Sequence, residues 1–427
     1  MTVAAVIGAQ WGDEGKGKMV DFLAQKAKYV VRFSGGDNAG HTVINSKGEF
    51  KLQLTPSGIF YPGTTSIIGN GVAINLAVLS TEIDSLNSRG VDTSHLLLSD
   101  RAHLIMPYHT LIEGFEEEAL GSKAIGTTLK GIGPTFADKV ARTGLRAGDL
   151  LDKNYLKERL ALALAYKNKI LTKIYDKPEI TLDEIYEKFS QFADRWAPFI
   201  CDTTVVLADA IKHKKHILLE GAQGMLLDPD FGTYPFGTSS SPISGNASLG
   251  AGIPPNKLNQ ILGVFKAFQT RVGAGPMPTE LYDETGDLIR ERGHEFGTVS
   301  GRPRRCGWFD GVAARFSARI NGFTSIVITR LDILDTLPKI KICTGYKLDG
   351  KVIDNFPASI AALEKCEPVY EELDGWEKPT GKARVFNDLP AAARKYIERL
   401  EKIVDCPANI ISVGAKREET IVRKPVF

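Results

Sequence analysis

The chain has 427 residues, 43% hydrophobic and 24% charged, with a formal net charge of +2. That length predicts two or three lobes rather than one small core. The near-neutral charge argues against nucleic acid or an anionic membrane as the main partner, and no apolar run approaches the length of a membrane span. The five cysteines, Cys201, Cys306, Cys343, Cys366 and Cys406, are scattered and show no C-x-x-C spacing. This predicts free thiols in a reducing compartment, so a cytoplasmic location with no secretory leader.

The chain opens with an apolar β-type run at 3–7, then G-A-Q-W-G-D-E-G-K-G-K at 8–18, then an apolar helical stretch at 19–24. Strand, glycine loop and helix in that order place backbone N–H groups where a phosphate binds. The loop is close to a P-loop, but Gln10 stands at the first glycine and Gly17 at the Ser/Thr. The hydroxyl that usually holds Mg²⁺ is therefore missing, and Asp13 inside the loop can supply an oxygen ligand instead. A carboxylate among phosphates suits a reaction that removes a proton there.

A second strand at 29–33 runs into S-G-G-D-N-A-G-H-T at 34–42, a polar loop at a strand end, where α/β proteins keep their ligands. His41 lies in this glycine loop and not on an apolar helix face, which favours a functional role. Further strands are expected at 65–74, with a glycine break, and at 96–99, with a helix at 76–89 between them. From 101 to 200 the texture turns helical. A loop G-T-T-L-K-G-I-G-P at 126–134 offers Thr127, Thr128 and Lys130, and a basic segment follows at 139–146. Leu156, Leu160 and Leu164 mark a helix over 152–175. Thr181 and Glu184 form a capping box opening a helix through Trp196.

The α/β texture resumes with H-I-L-L-E at 216–220, E-G-A-Q-G at 220–224 and a long hydroxyl-rich loop at 226–252. After a strand at 261–268 comes G-R-P-R-R-C-G-W at 301–308. Its arginine forks suit a small dicarboxylate or a phosphate; a nucleic-acid patch is disfavoured by the low net charge and the single cluster. A strand at 325–329 leads into Arg330-Leu331-Asp332. T-R-L-D has the form by which nucleotide switches read guanine, the carboxylate accepting from N1–H and N2–H₂ together. Apolar pairs at 352–353 and 385–386 precede a helix over 390–403. A strand at 410–413 then feeds a small-residue turn placed to pack on a base.

These segments, in this order, resemble the adenylosuccinate synthetase family across essentially the whole chain. The resemblance implies an α/β fold: a P-loop-NTPase-like, mostly parallel central sheet with a helical insertion and a C-terminal α+β lobe. The expected division is 1–100 with 201–265 as the GTP/IMP core, 101–200 as the insertion and 266–427 as the lobe for aspartate and guanine. The implied reaction is GTP-dependent ligation of IMP and L-aspartate to adenylosuccinate through a 6-phosphoryl-IMP intermediate. By the same resemblance Asp13 is the base at N1 of IMP, His41 the general acid, and Lys16 the stabiliser of the transferring phosphoryl group. Asp13 and the Gly40 carbonyl form the protein's share of an Mg²⁺ site. GTP falls to Gly12, Glu14, Gly15, Gly17, Lys18, Thr42, Arg304, Arg330, Leu331, Asp332, Ser412, Val413 and Gly414. IMP falls to Asn38, Ala39, Thr128, Arg142, Gln223, Thr238 and Arg302. L-Aspartate falls to Thr298, Val299, Ser300, Gly301, Arg302 and Arg304. Arg142 is expected to reach the IMP phosphate of the neighbouring subunit, which makes a homodimer the active unit. Four positions depart from the family's usual residues: Asp37, Gly237, Ser300 and Arg330. The reading from another class is a GTP-binding switch without ligase activity; it leaves Asp13, His41 and the arginine loop without a purpose.

Overall fold

The computed structural model describes residues 1–45, 47–297, 301 and 303–427. Its frame is a ten-stranded sheet in the order Thr420–Val422, Ala408–Ser412, Ser325–Thr329, Gln260–Lys266, Val3–Gly8, Ile217–Glu220, Tyr29–Arg32, Thr65–Ile68, Leu96–Ser99 and Ile200–Cys201. All neighbours are parallel except the last pair at the C-terminal edge, Ala408–Ser412 with Thr420–Val422. Val3–Gly8 lies near the middle and is buried at every residue. A strand covered on both faces must be apolar throughout, and V-A-A-V-I-G is.

The chain moves outward from the centre in both directions. Tyr29–Arg32, Thr65–Ile68, Leu96–Ser99 and Ile200–Cys201 are laid down on one side. The chain then returns through Ile217–Glu220 beside the first strand and builds the other side from Gln260–Lys266 onward. That reversal is a topological switch point, where α/β sheets open a ligand crevice at the carboxyl ends of the strands.

Between Leu96–Ser99 and Ile200–Cys201 lie four helices, Pro107–Leu120, Ile132–Ala141, Lys153–Lys173 and Leu182–Trp196. Leu156, Leu160, Leu164 and Trp196 pack in one buried cluster with side chains of the neighbouring sheet edge. The capping box forms as its residues dictate: Thr181 Oγ1 accepts from Glu184 N, and Glu184 Oε2 accepts from Thr181 N.

In the C-terminal third, three strands complete the main sheet, Phe309–Asp310, Lys339–Leu348, Lys351–Ile353 and Glu367–Asp374 form a second sheet, and Gln269–Arg271 pairs with Arg305–Gly307. The structure also holds helices that the sequence reading left out. The loop at 226–252 ends in a helix, Ser244–Ala251, which its small residues and glycines conceal. Helices Thr203–Lys212, Glu284–Gly293 and Gly311–Asn321 were not anticipated. Each follows an aspartate whose side chain accepts from the first-turn N–H groups, Asp202, Asp283 and Asp310, a start signal legible on its own. The apolar pair at 385–386 leads into a short 3₁₀ helix, Phe386–Asp388.

Candidate active site

Many of the described residues singled out above lie at the carboxyl ends of six adjacent strands. The loop after Val3–Gly8 turns through Asp13 at φ 59° and Gly15 at φ 88° before the helix Lys16–Ala24 begins. A helix N-terminus carries unpaired N–H groups and the positive end of the dipole. Glu14, expected at the nucleotide, turns inward and is fully buried. Its Oε1 accepts from Gln10 N at 3.0 Å and Gly12 N at 2.9 Å, and its Oε2 accepts from Lys16 Nζ at 2.6 Å. The Glu14 carboxylate thus sets the shape of the loop, and only its backbone is left to face a phosphate. Gln10 stitches the loop to the neighbouring strand, accepting from Lys266 N at 2.8 Å and donating to Phe268 O at 3.2 Å.

The missing P-loop hydroxyl has a steric cause. A Cβ on Gly17 would sit 2.6 Å from Cδ2 of His41. The His41 ring lies against the helix start, and any side chain at 17 would displace it.

His41 Nε2 is 2.9 Å from Ser57 Oγ and 3.4 Å from Glu220 Oε1. Glu220 ends the strand Ile217–Glu220 and accepts from Ser57 N at 2.8 Å. Burial, with Arg32 and Lys16 adding to it, pulls the His41 imidazole down to about 3, so it is neutral at neutral pH. Burial likewise pushes the Glu220 carboxyl up to about 6. Neither Glu220 nor Ser57 was picked out from sequence. The signal was present, a glutamate closing the apolar run I-L-L.

Asp13 is the more open carboxylate, with a side chain one-third exposed. Its Oδ2 is 2.8 Å from Arg304 Nε. Arg304 Nη1 also donates to Glu295 Oε2 at 2.6 Å, and Lys266 Nζ donates to the same oxygen at 2.7 Å. Burial raises the Glu295 carboxyl, but Lys266, Arg304 and Arg330 outweigh it and hold it below the usual range. Arg305 is spent on Glu280, with Nε 2.8 Å from both carboxylate oxygens. The described arginines of the cluster are therefore each paired with carboxylates, which no solvent-facing basic patch would be. Thr298, Val299, Ser300 and Arg302 lie outside the described residues. Gly301 N donates to Gly297 O at 2.8 Å.

Asn38 and Gln223, far apart in sequence, meet directly: Gln223 Nε2 donates to Asn38 Oδ1 at 3.0 Å. Thr238 Oγ1, in the long loop after Gln223, is buried with no partner among the described residues. Asp37, one of the departures, is buried and accepts from Asn75 Nδ2 at 3.2 Å. Gly237, another, is required by packing, since a Cβ there would lie 2.7 Å from Leu227 O. Thr128 is exposed in the loop at 124–131, and Ala39, Gly40 and Thr42 are partly exposed. Two glutamates hold that loop: Glu117 accepts from the N–H groups of Ile125, Gly126 and Thr127 at 2.8–3.2 Å, and Glu113 accepts from Gly131 N at 2.6 Å. Arg142 caps the helix Ile132–Ala141 at φ 65° and is exposed beside Val140, which is 81% exposed.

On the other side of the first strand, Arg330 turns at φ 61° and donates to Gly293 O, while Leu331 is buried. Asp332 Oδ1 is buried with no partner among the described residues, and burial pushes its carboxyl up. An acceptor left in that state asks for donors from a ligand. Thr329 Oγ1 donates to Glu14 O at 2.6 Å, tying this corner to the loop at 9–15. Ser412 ends the strand Ala408–Ser412 and Val413 and Gly414 follow it; Lys18 reaches Ser412 and Gly414 rather than facing the loop at 9–15.

Among the described residues no group of three His, Cys, Asp or Glu could hold a metal ion. Mg²⁺ bound with nucleotide needs only one or two carboxylates beside phosphates, so Asp13 with the Gly40 carbonyl fits that oxygen chemistry. No described helix is long and apolar enough to cross a membrane.

The family model of adenylosuccinate synthetase matches residues 5–421. The adenylosuccinate synthetase of Dehalococcoides mccartyi is 59% identical over 423 residues, 99% of this chain and 100% of that one. That of Carboxydothermus hydrogenoformans is 53% identical over 427 residues, the full length of both. The structure of fully ligated adenylosuccinate synthetase from Plasmodium falciparum superposes with a TM-score of 0.93 at 36% identity, covering 99% of this chain and 100% of that one.

Proposed function

The chain belongs to the adenylosuccinate synthetase family and is a GTP-dependent ligase of AMP biosynthesis that joins IMP and L-aspartate; we propose that the strand-end residues described above carry the reaction. The reading rests above all on Asp13, a partly open carboxylate inside a phosphate-binding loop and in ion-pair reach of Arg304. Asp13 takes the N1 proton of IMP, which makes O6 a nucleophile toward the γ-phosphate of GTP. Lys16 and the backbone of the loop at 12–18 stabilise the charge on the transferring group. His41 is neutral in the free protein; phosphate anions arriving beside it favour its charged form, so it takes up a proton from water before the transfer and passes it to the leaving GDP oxygen as charge builds there. The aspartate amine then displaces the 6-phosphoryl group as phosphate. Mg²⁺, held by Asp13 and the Gly40 carbonyl, would supply neutralisation of phosphate charge. In the structure Arg304 is ion-paired with Asp13; drawn instead to the carboxylates of L-aspartate, it frees Asp13 to face N1 of IMP. Asn38, Ala39, Thr128, Gln223, Thr238 and Arg302 bind IMP, and Arg330 to Asp332 with Ser412 to Gly414 bind guanine. A cytoplasmic location goes with this chemistry. The reading is tested by measuring whether GTP turnover requires IMP and aspartate together; turnover with either one absent sinks it.

Asp332→Asn is expected to weaken GTP and improve xanthosine triphosphate, because xanthine carries a carbonyl where guanine carries N2–H₂ and an amide can donate to it. An unchanged ratio of kcat/KM for the two nucleotides would show that Asp332 does not read the base.

Arg142 is read as a residue shared across a homodimer, reaching the IMP phosphate of the opposite subunit. Its exposure and that of Leu129 and Val140 support that reading. Mixing inactive Asp13→Ala with inactive Arg142→Leu should restore activity, since one site of each heterodimer then carries neither defect. Equal amounts give roughly half heterodimers with one good site of two, so about a quarter of wild-type activity at most. If subunit exchange is confirmed by tag pull-down and activity stays at the parental level, Arg142 acts within its own chain.

A further inference from the structure

Lys18 sits in the phosphate-loop helix Lys16–Ala24, yet its ammonium points away from that loop. Nζ donates to Ser412 Oγ at 2.7 Å, to Gly414 O at 2.8 Å and to Glu419 O at 3.0 Å. An ammonium has three N–H donors, and all three are spent. The loop they hold is otherwise closed on itself: Val413 N donates to the same Glu419 carbonyl at 3.0 Å, and Ser412 Oγ to Gly414 O at 3.0 Å. We propose that Lys18 is not a phosphate ligand but a positioning residue, which fixes the loop at 412–419 against the phosphate-loop helix and so sets where the base is read. The inference rests on the assignment of Ser412 to Gly414 and Asp332 to guanine.

The clamp depends on charge. Burial pulls the Lys18 ammonium down to about 8, opposed by Glu419, Asp332 and Glu418 and reinforced by Arg330. A lysine lowered in this way keeps its proton below that value and loses it as the pH rises through it. Nucleotide affinity therefore falls on the alkaline side.

Titration calorimetry with GMP and GDP, with IMP present to cover its own site, reads the proposal directly. In Lys18→Met both nucleotides are expected to weaken by the same factor, about 10–100-fold for the loss of a charged hydrogen-bonding group. A phosphate ligand would instead cost GDP more than GMP. In the wild type the dissociation constant for GDP should rise between about pH 7 and 9, and that rise should vanish in Lys18→Met. Should Lys18→Met fail to fold, Ser412→Ala removes one of the three acceptors and keeps the charge. It should weaken GMP and GDP alike by a few-fold, with the alkaline rise retained. Unchanged affinity in either folded variant, or a loss that grows with the number of phosphates, overturns the proposal. A wild type that binds GDP no better than ADP overturns the guanine assignment itself, which is a different result.

Discussion

Purified Asp13→Ala is expected to lose turnover by at least the 10²–10⁴ roughly ascribed to a general base, with a further loss from the metal site. The fold should survive, because the Asp13 side chain is one-third exposed and its partner Arg304 keeps its bond to Glu295. The backbone adds a complication. Asp13 stands at φ 59°, where aspartate and asparagine are tolerated far better than alanine. Asp13→Ala should therefore melt somewhat lower than the wild type, whereas Asp13→Asn should melt close to it and be as inactive. Comparing the two separates catalysis from strain. Near-normal activity in either, measured on protein shown to be folded, would remove Asp13 from the role of base.

His41→Asn carries the second large effect, a fall in kcat of a similar 10²–10⁴. Asparagine can still donate a hydrogen bond toward Ser57 or Glu220, so the local network is kept in part, but an amide cannot deliver a proton. The loss should appear in kcat and in kcat/KM alike, the signature of an interaction made in the transition state. A rise in KM for IMP with kcat intact would make His41 a binding residue. A quick structural control exists: the ring packs on Gly17, so the asparagine variant leaves space there and should cost some stability without unfolding the protein.

Much of this was legible because it is local. The runs at 3–7, 29–33, 96–99, 216–220 and 325–329 are short, apolar and bounded by turn residues, and each is a strand of one parallel sheet. A sheet buried on both faces has to be written that way. Capping residues are equally local, as Thr181 and Asp152 show. What escaped reading depends on partners far along the chain. Nothing near Glu14 says that its carboxylate will turn back onto the N–H groups of residues 10 and 12. Nothing near Arg304 says that it will lie on Asp13 while Glu295 and Lys266 brace it from behind. The run Lys339-Ile340-Lys341-Ile342 is a different kind of omission. Its strict alternation marks a strand with one face buried, and the structure has Ile340 and Ile342 inside with the lysines out.

The central strand has a consequence for how the chain is made. Val3–Gly8 pairs with Ile217–Glu220 and Gln260–Lys266, and with no strand nearer in sequence. At roughly 5–20 residues per second on the ribosome, those partners emerge about 10–50 s after the strand itself. For that interval V-A-A-V-I-G is a free apolar edge without charge or proline, the kind of segment that invites misplaced pairing. The catalytic loop therefore takes shape late, only once residues beyond 264 have docked. Such long-range closure makes folding slow, and chaperone demand during synthesis should fall if this segment is masked, whatever the final stability of the enzyme.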